Sequence, residues 1–119
     1  MAGAIINNLS TVPYKTLIFT LGNGNPQTVF NNTGFTFSVQ SVSTGVIQLD
    51  TTGGNIFQPT EISVITSQSF FNSDTNISNW DINNSTGSYL RINNISAQTN
   101  NLSDDGFVYM TIIVNFYNL

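Results

Sequence analysis

Few side chains in this sequence could do acid–base or nucleophilic chemistry. The 119 residues include no histidine and no cysteine, so most nucleophile-and-base pairs and most zinc, copper and non-haem iron sites are excluded. The six carboxylates are Asp50, Glu61, Asp74, Asp81, Asp104 and Asp105. A glycosidase needs two carboxylates across a cleft, but Asp104 and Asp105 share a turn-forming SDDG and the others are scattered. We therefore predict no catalytic residue, no cofactor and no enzymatic activity.

The polar stretch NSDTNISNWD, at residues 72–81, is the best candidate for a metal site. Carboxylate and amide oxygens are the ligands that Ca²⁺ prefers, but the spacing does not match an EF-hand loop. An ordinary polar loop from residue 72 to residue 79 is the simpler interpretation. The sequence therefore predicts no metal site.

Trp80, Tyr89 and Arg91 are the residues best suited to bind a sugar. An aromatic face packs against a sugar ring, while guanidinium and amide groups form hydrogen bonds with its hydroxyls. The alternative is that Trp80 is a core residue of its own strand, as in many small sandwiches. Both interpretations stay open, so a glycan site at these three residues is a hypothesis.

The charge balance excludes several classes of partner. The formal net charge is −4, and Lys15 and Arg91 are the only cationic side chains. A surface that neutralises the phosphates of nucleic acid or of anionic lipid is therefore not expected. No apolar stretch approaches the roughly 20 residues that span a bilayer. The first residues lack the basic and apolar segments of a secretion signal, so we expect the protein to be made in a cytoplasm and to leave only as part of a released particle.

Alternation of apolar and polar residues dominates the chain and predicts strands rather than helices. In FTFSVQ, Phe35, Phe37 and Val39 are expected to face the core, and in GVIQLD so are Ile47 and Leu49. Turn-forming clusters separate about eight such segments. We predict one domain over residues 1–119, folded as a single antiparallel β-sandwich of jelly-roll or immunoglobulin-like type.

The closing strand departs from this alternation because it is apolar on both faces. Phe107, Tyr109 and Ile113 share one face. The other face consists of Val108, Met110, Ile112, Val114 and Phe116. One sandwich covers only one face of a strand, so we expect a second copy of the chain to cover the other. We assign the larger set to the oligomer interface, although the pattern does not determine which face points outward. The alternative is that residues 4–9 of the same chain cover it.

Four features of the whole chain point to one class of protein. They are the missing secretion signal, the lack of His and Cys, the weakly charged Asn/Ser/Thr-rich composition, and the closing strand FVYMTIIVNFYNL. In these features the chain resembles the small all-β accessory virion proteins of tailed bacteriophages, namely capsid decoration proteins and fibre or tail-associated β-sandwich modules.

The resemblance implies a non-enzymatic structural protein of the virion, synthesised in the host cytoplasm. Such a protein forms a homo-oligomer, for example a trimer, and attaches to other virion proteins such as the major capsid protein. The alternative function is a carbohydrate-binding module or a receptor-binding tip. Gene context separates the two, because portal, capsid and tail genes are the neighbours expected of the first.

Overall fold

The computed structural model describes residues 14–22, 25–67, 69–71, 74–104 and 110–119, and these residues form nine strands. The first five strands are β1 (Lys15–Gly22), β2 (Asn25–Asn31), β3 (Phe37–Ser43), β4 (Val46–Thr51) and β5 (Ile62–Thr66). The others are β6 (Ser69–Phe71), β7 (Asp74–Trp80), β8 (Tyr89–Ser96) and β9 (Thr111–Phe116). A single 3₁₀ turn, Ile82–Asn84, lies between β7 and β8.

The strands form two antiparallel sheets that pack against each other. The four-stranded sheet has the order β2-β1-β9-β5, and the five-stranded sheet has the order β3-β4-β8-β7-β6. Every strand pair in both sheets is antiparallel. The all-β antiparallel sandwich predicted from the sequence is therefore confirmed, with nine strands in the described residues where about eight were expected.

The core lies between the two sheets and draws alternate residues from both. The four-stranded sheet contributes Leu17, Phe19, Ile62, Ile112 and Val114, and the five-stranded sheet contributes Ile47, Leu49, Leu90 and Ile92. Three tilted rings, those of Phe37, Phe57 and Phe116, lie with centroids 5.9–6.3 Å apart at one end of this core. The predicted inward positions in β3 and β4 are therefore correct, because Phe37 and Val39 pack on the core that contains Ile47 and Leu49. Phe35, also expected to face inward, precedes β3, is half-buried and does not belong to this core cluster.

Residues 72–79 were predicted as a loop, and this prediction is wrong for the described part, because Asp74–Trp80 is strand β7. The core-facing positions of β7 are polar, with Asp74, Asn76 and Ser78 all buried. Polar residues on both faces removed the alternation that identified the other strands. The chain leaves the strand at Asp81, directly after Trp80.

The assignment of the larger face of the closing strand to an oligomer interface is also wrong for its described residues. Met110, Ile112, Val114 and Phe116 are at most 1% exposed and belong to the core of the domain itself. They cannot reach a second copy while the sandwich is folded. Val108 lies outside the described residues, as do Phe107 and Tyr109 of the other face. The outward face of β9 consists of Thr111, Ile113 and Asn115, which are half-buried.

Candidate functional site

The outer face of the four-stranded sheet carries an apolar row that crosses all four strands. Residues directly opposite each other in antiparallel strands share a face of the sheet. Phe30 of β2 is opposite Ile18 of β1, Ile18 is opposite Ile113 of β9, and Ile113 is opposite Ile65 of β5. We call these four residues the apolar stripe.

The two ends of the apolar stripe are open to solvent. Phe30 is 48% exposed and Ile65 is 52% exposed, whereas the central Ile18 and Ile113 are half-buried by their neighbours. The inner face of this sheet packs on the core, and no further strand of the described residues covers the apolar stripe on its outer face. A row of large apolar side chains on a sheet face is a typical site of protein association.

A row of uncharged polar residues borders the apolar stripe on one side. Thr16 of β1, Asn115 of β9 and Ser63 of β5 lie opposite one another in register. The Thr16 hydroxyl donates to Asn115 Oδ1 at 3.0 Å, and Asn115 Nδ2 donates to Ser63 Oγ at 3.3 Å. Ser63 Oγ also lies 3.2 Å from the Tyr117 hydroxyl. Because these groups bond to one another, a partner that covers the face need not supply hydrogen bonds to them.

Charge is distributed unequally between the two sheets. Asp50, Asp74 and Asp81 are in or beside strands of the five-stranded sheet, and Asp104 accepts a hydrogen bond from the Gly45 amide at the start of β4. Glu61 precedes β5, but it lines a cavity with Phe116 and Leu119 at the end of the sandwich. Lys15, the first residue of β1, is opposite the core residue Phe116 and so is not on the outer face of its sheet. Among the described residues, the outer face of the four-stranded sheet therefore has no charged side chain.

The three residues of the glycan hypothesis do not form one site. Trp80 is opposite Ile92 in the β7–β8 pair, so its ring is on the core face, where it packs against the core cluster. Its indole Nε1 donates to Ser85 Oγ at 3.1 Å. Tyr89 and Arg91 point from β8 to the opposite, outer face, and the Arg91 Cζ atom is 5.5 Å from the centroid of the Tyr89 ring. The structure brings together Tyr89 and Arg91 and separates both from Trp80.

The described part of the chain offers little for acid–base or metal chemistry. Asp50 is on the outer face of the five-stranded sheet and Asp74 is on its buried inner face, where it accepts from the Ser96 hydroxyl. A cavity of ≈ 50 Å³ lined by Phe37 and Leu49 has no acidic side chain in its lining, and one of ≈ 200 Å³ has only that of Glu61. Within the described residues there is no cluster of three or more metal-binding side chains.

No helix in the part of the chain that the structure describes is both long and apolar enough to cross a membrane. Comparisons of the chain with protein-family models, with curated proteins and with solved structures give no match.

Three of the four residues of the apolar stripe were not identified from the sequence. Only Ile113 had been noted as a residue that could face outward. A signal was present, since TLIFT in β1 and SVIT in β5 each contain consecutive apolar residues where strict alternation requires a polar one. The extra residues are Ile18 and Ile65. Their alignment with Phe30 and Ile113 depends on the strand order, which the sequence does not reveal.

Proposed function

We propose that this chain is a non-enzymatic structural protein that self-associates through the outer face of its four-stranded sheet. The apolar stripe is the observation that supports this proposal. Full burial of a large apolar side chain stabilises by about 1.5–3 kcal/mol. Because two stripe residues are about half exposed and two are half-buried, covering all four contributes several kcal/mol to association in each copy.

A second copy of the same chain is the occupant that the charge distribution favours. With a net charge of −4, two copies repel each other at long range. Contact through the uncharged sheet face keeps the two acidic sheets on the outside of the pair, where solvent screens them best. A strongly basic partner would gain nothing from this face, because none of its described side chains is acidic.

The setting that we propose for this assembly is the virion of a tailed bacteriophage, where the oligomer attaches to other virion proteins such as the major capsid protein. This part is supported by sequence character, namely the weakly charged surface rich in Asn, Ser and Thr and the lack of His and Cys. Gene context tests this setting, and we expect portal, capsid and tail genes beside the gene that encodes this chain. A neighbourhood of polysaccharide-degrading enzymes would favour a sugar-binding protein instead.

Light scattering of two matched variants tests the self-association. Ile65 of the apolar stripe is 52% exposed, and Ile77, on the outer face of the other sheet, is 44% exposed. We expect wild-type protein to exceed the 13.0 kDa of one chain at micromolar concentrations. Ile65→Asp should return the mass to that of one chain, whereas Ile77→Asp should not.

The control is informative because Ile77 is also part of an apolar pair, opposite Ile95. Dissociation by Ile77→Asp alone would place the interface on the five-stranded sheet and contradict the proposal. A wild-type protein that stays at the mass of one chain up to hundreds of micromolar would also contradict it. Circular dichroism of both variants verifies that the sandwich remains folded.

A further inference from the structure

A second surface, on the outer face of the five-stranded sheet, is built around the only arginine of the chain. Arg91 is on β8, the central strand, directly opposite Gln48 of β4. Its Nε donates to Gln48 Oε1 at 3.0 Å, and its guanidinium lies over the Tyr89 ring. Gln48 is only 8% exposed although it points away from the core. These contacts fix the orientation of the guanidinium before any ligand arrives.

Asp50 is held beside this arginine without forming an ion pair with it. Gln48 Nε2 donates to Asp50 Oδ1 at 2.8 Å, and Gln40 Nε2 donates to Asp50 Oδ2 at 2.9 Å. Each carboxylate oxygen therefore has an amide donor and a remaining lone pair. The Nε of Arg91 is bonded to Gln48, but its terminal amino groups donate no hydrogen bond to any described residue. Arg91 thus retains donors, and Asp50 retains acceptors, that face solvent.

Asp81 adds a second carboxylate on the other side of Arg91. The Asp81 backbone amide donates to the Arg91 carbonyl at 2.8 Å, and its Oδ2 accepts from Asn84 at 2.7 Å and from Asn93 at 3.3 Å. Two carboxylates and one guanidinium give this surface a net charge of −1. An anionic ligand such as a phosphate or an acidic sugar is therefore disfavoured, whereas a neutral ligand with many hydroxyls meets both donors and acceptors.

We propose that this surface, formed by Gln40, Gln48, Asp50, Asp81, Tyr89 and Arg91, binds a neutral sugar. The terminal amino groups of Arg91 donate to sugar hydroxyl oxygens, and Asp50 accepts from neighbouring hydroxyls. The Tyr89 ring, packed on the guanidinium, offers apolar carbon surface to the C–H groups of the sugar. Trp80 takes no part because its ring is on the core face. The surface is on the opposite sheet from the apolar stripe, so both can be occupied at once.

A glycan array of neutral and acidic oligosaccharides, probed with wild-type protein, tests this inference. We expect signal on neutral hexose or N-acetylhexosamine glycans. Arg91→Gln should weaken binding to the best neutral glycan at least tenfold, as measured by isothermal titration. Lys15→Gln is the matched control, since it changes the net charge equally and alters the only other cation, which is on β1 of the other sheet. It should leave the affinity unchanged.

Asp50→Asn provides a second variant, should Arg91→Gln fail to fold. It removes the charged acceptor while keeping the shape of the side chain, and a comparable loss of affinity is expected. Absence of binding to every neutral glycan at millimolar concentration would overturn the inference. So would selective binding of sialylated or uronic-acid glycans, or an equal loss of affinity in Arg91→Gln and Lys15→Gln.

Discussion

At the scale of single residues, Asn76 is the least satisfied polar group of the described core. Its side chain is fully buried on the inner face of β7, and neither its Nδ2 nor its Oδ1 has a hydrogen-bond partner among the described residues. A buried polar group without a partner costs about 1–3 kcal/mol. Asn94, equally buried on the neighbouring strand β8, accepts from the Ser78 hydroxyl at 2.9 Å and donates to the Ser103 carbonyl at 2.7 Å.

This contrast predicts opposite effects for the same substitution at the two asparagines. Asn76→Leu removes unpaired groups and should raise the free energy of unfolding by about 1 kcal/mol or more. Asn94→Leu removes the hydrogen bonds that the Asn94 side chain forms with the Ser78 hydroxyl and the Ser103 carbonyl. It should therefore lower the free energy of unfolding by about 2 kcal/mol or more. Urea denaturation followed by circular dichroism measures both. A loss of stability in both variants would mean that the Asn76 amide is satisfied in solution, for instance by an internal water.

The sequence could suggest Tyr89 and Arg91 as neighbours but could not exclude Trp80 from their site. Residues 89 and 91 are two apart in one strand, so they share a face whatever the fold. The face of Trp80 depends on the register of β7 with β8, which the turn at Ile82–Asn84 sets. That turn is not encoded by alternation. Gln48 was not singled out because a glutamine between two core residues, Ile47 and Leu49, looks like an ordinary solvated position.

At the scale of elements, β9 shows both the strength and the limit of reasoning from patterns. The apolar character of both faces led to the expectation that a second copy of the chain covers one of them. In the structure β9 is an inner strand between β1 and β5. The face with more large apolar residues was assigned to the oligomer interface, and the described residues of that face belong to the core instead. Thr111 and Asn115, on either side of Ile113, were the polar residues that marked the outward face.

The neighbouring isoleucines of β9 therefore predict two different outcomes for one substitution. Ile112 is fully buried in the core, so Ile112→Asp places an unpaired charge there and should lower the free energy of unfolding by about 4 kcal/mol or more. Ile113 faces outward at the centre of the apolar stripe, so Ile113→Asp should leave the sandwich folded and separate the copies. Thermal melting and light scattering of both variants measure this difference. The opposite pattern, with Ile113→Asp unfolded and Ile112→Asp folded, would reverse the two faces.

Strand β7 was missed for a physical reason that other chains share. Alternation identifies a strand only when its core-facing residues are apolar, and in β7 these positions are Asp74, Asn76 and Ser78. Asp74 is stabilised there by the Ser96 hydroxyl and by the Gln98 amide at 3.1 Å. Such bonds come from β8 and the turn after it, so they exist only once the strands have paired. Local sequence does not contain this information.

At the scale of the whole molecule, the two sheets have different surfaces. The four-stranded sheet presents the apolar stripe with an uncharged border, and the five-stranded sheet presents Asp50, Asp81 and the only arginine. This division supports one contact between copies of the chain and leaves the other sheet open to further ligands. A sandwich with two mixed faces would give no basis for choosing the surface of association.

Site-specific cross-linking tests the central claim, that copies of this chain meet through the apolar stripe. The chain has no cysteine, so Ile113→Cys and Ile77→Cys each introduce a single thiol, one near the centre of the stripe and one on the opposite sheet. Sheets packed face to face are about 10 Å apart, within reach of a short bis-maleimide. We predict a covalent dimer from Ile113→Cys and little or none from Ile77→Cys at equal concentration. A dimer from Ile77→Cys alone, or from neither variant, would contradict the account.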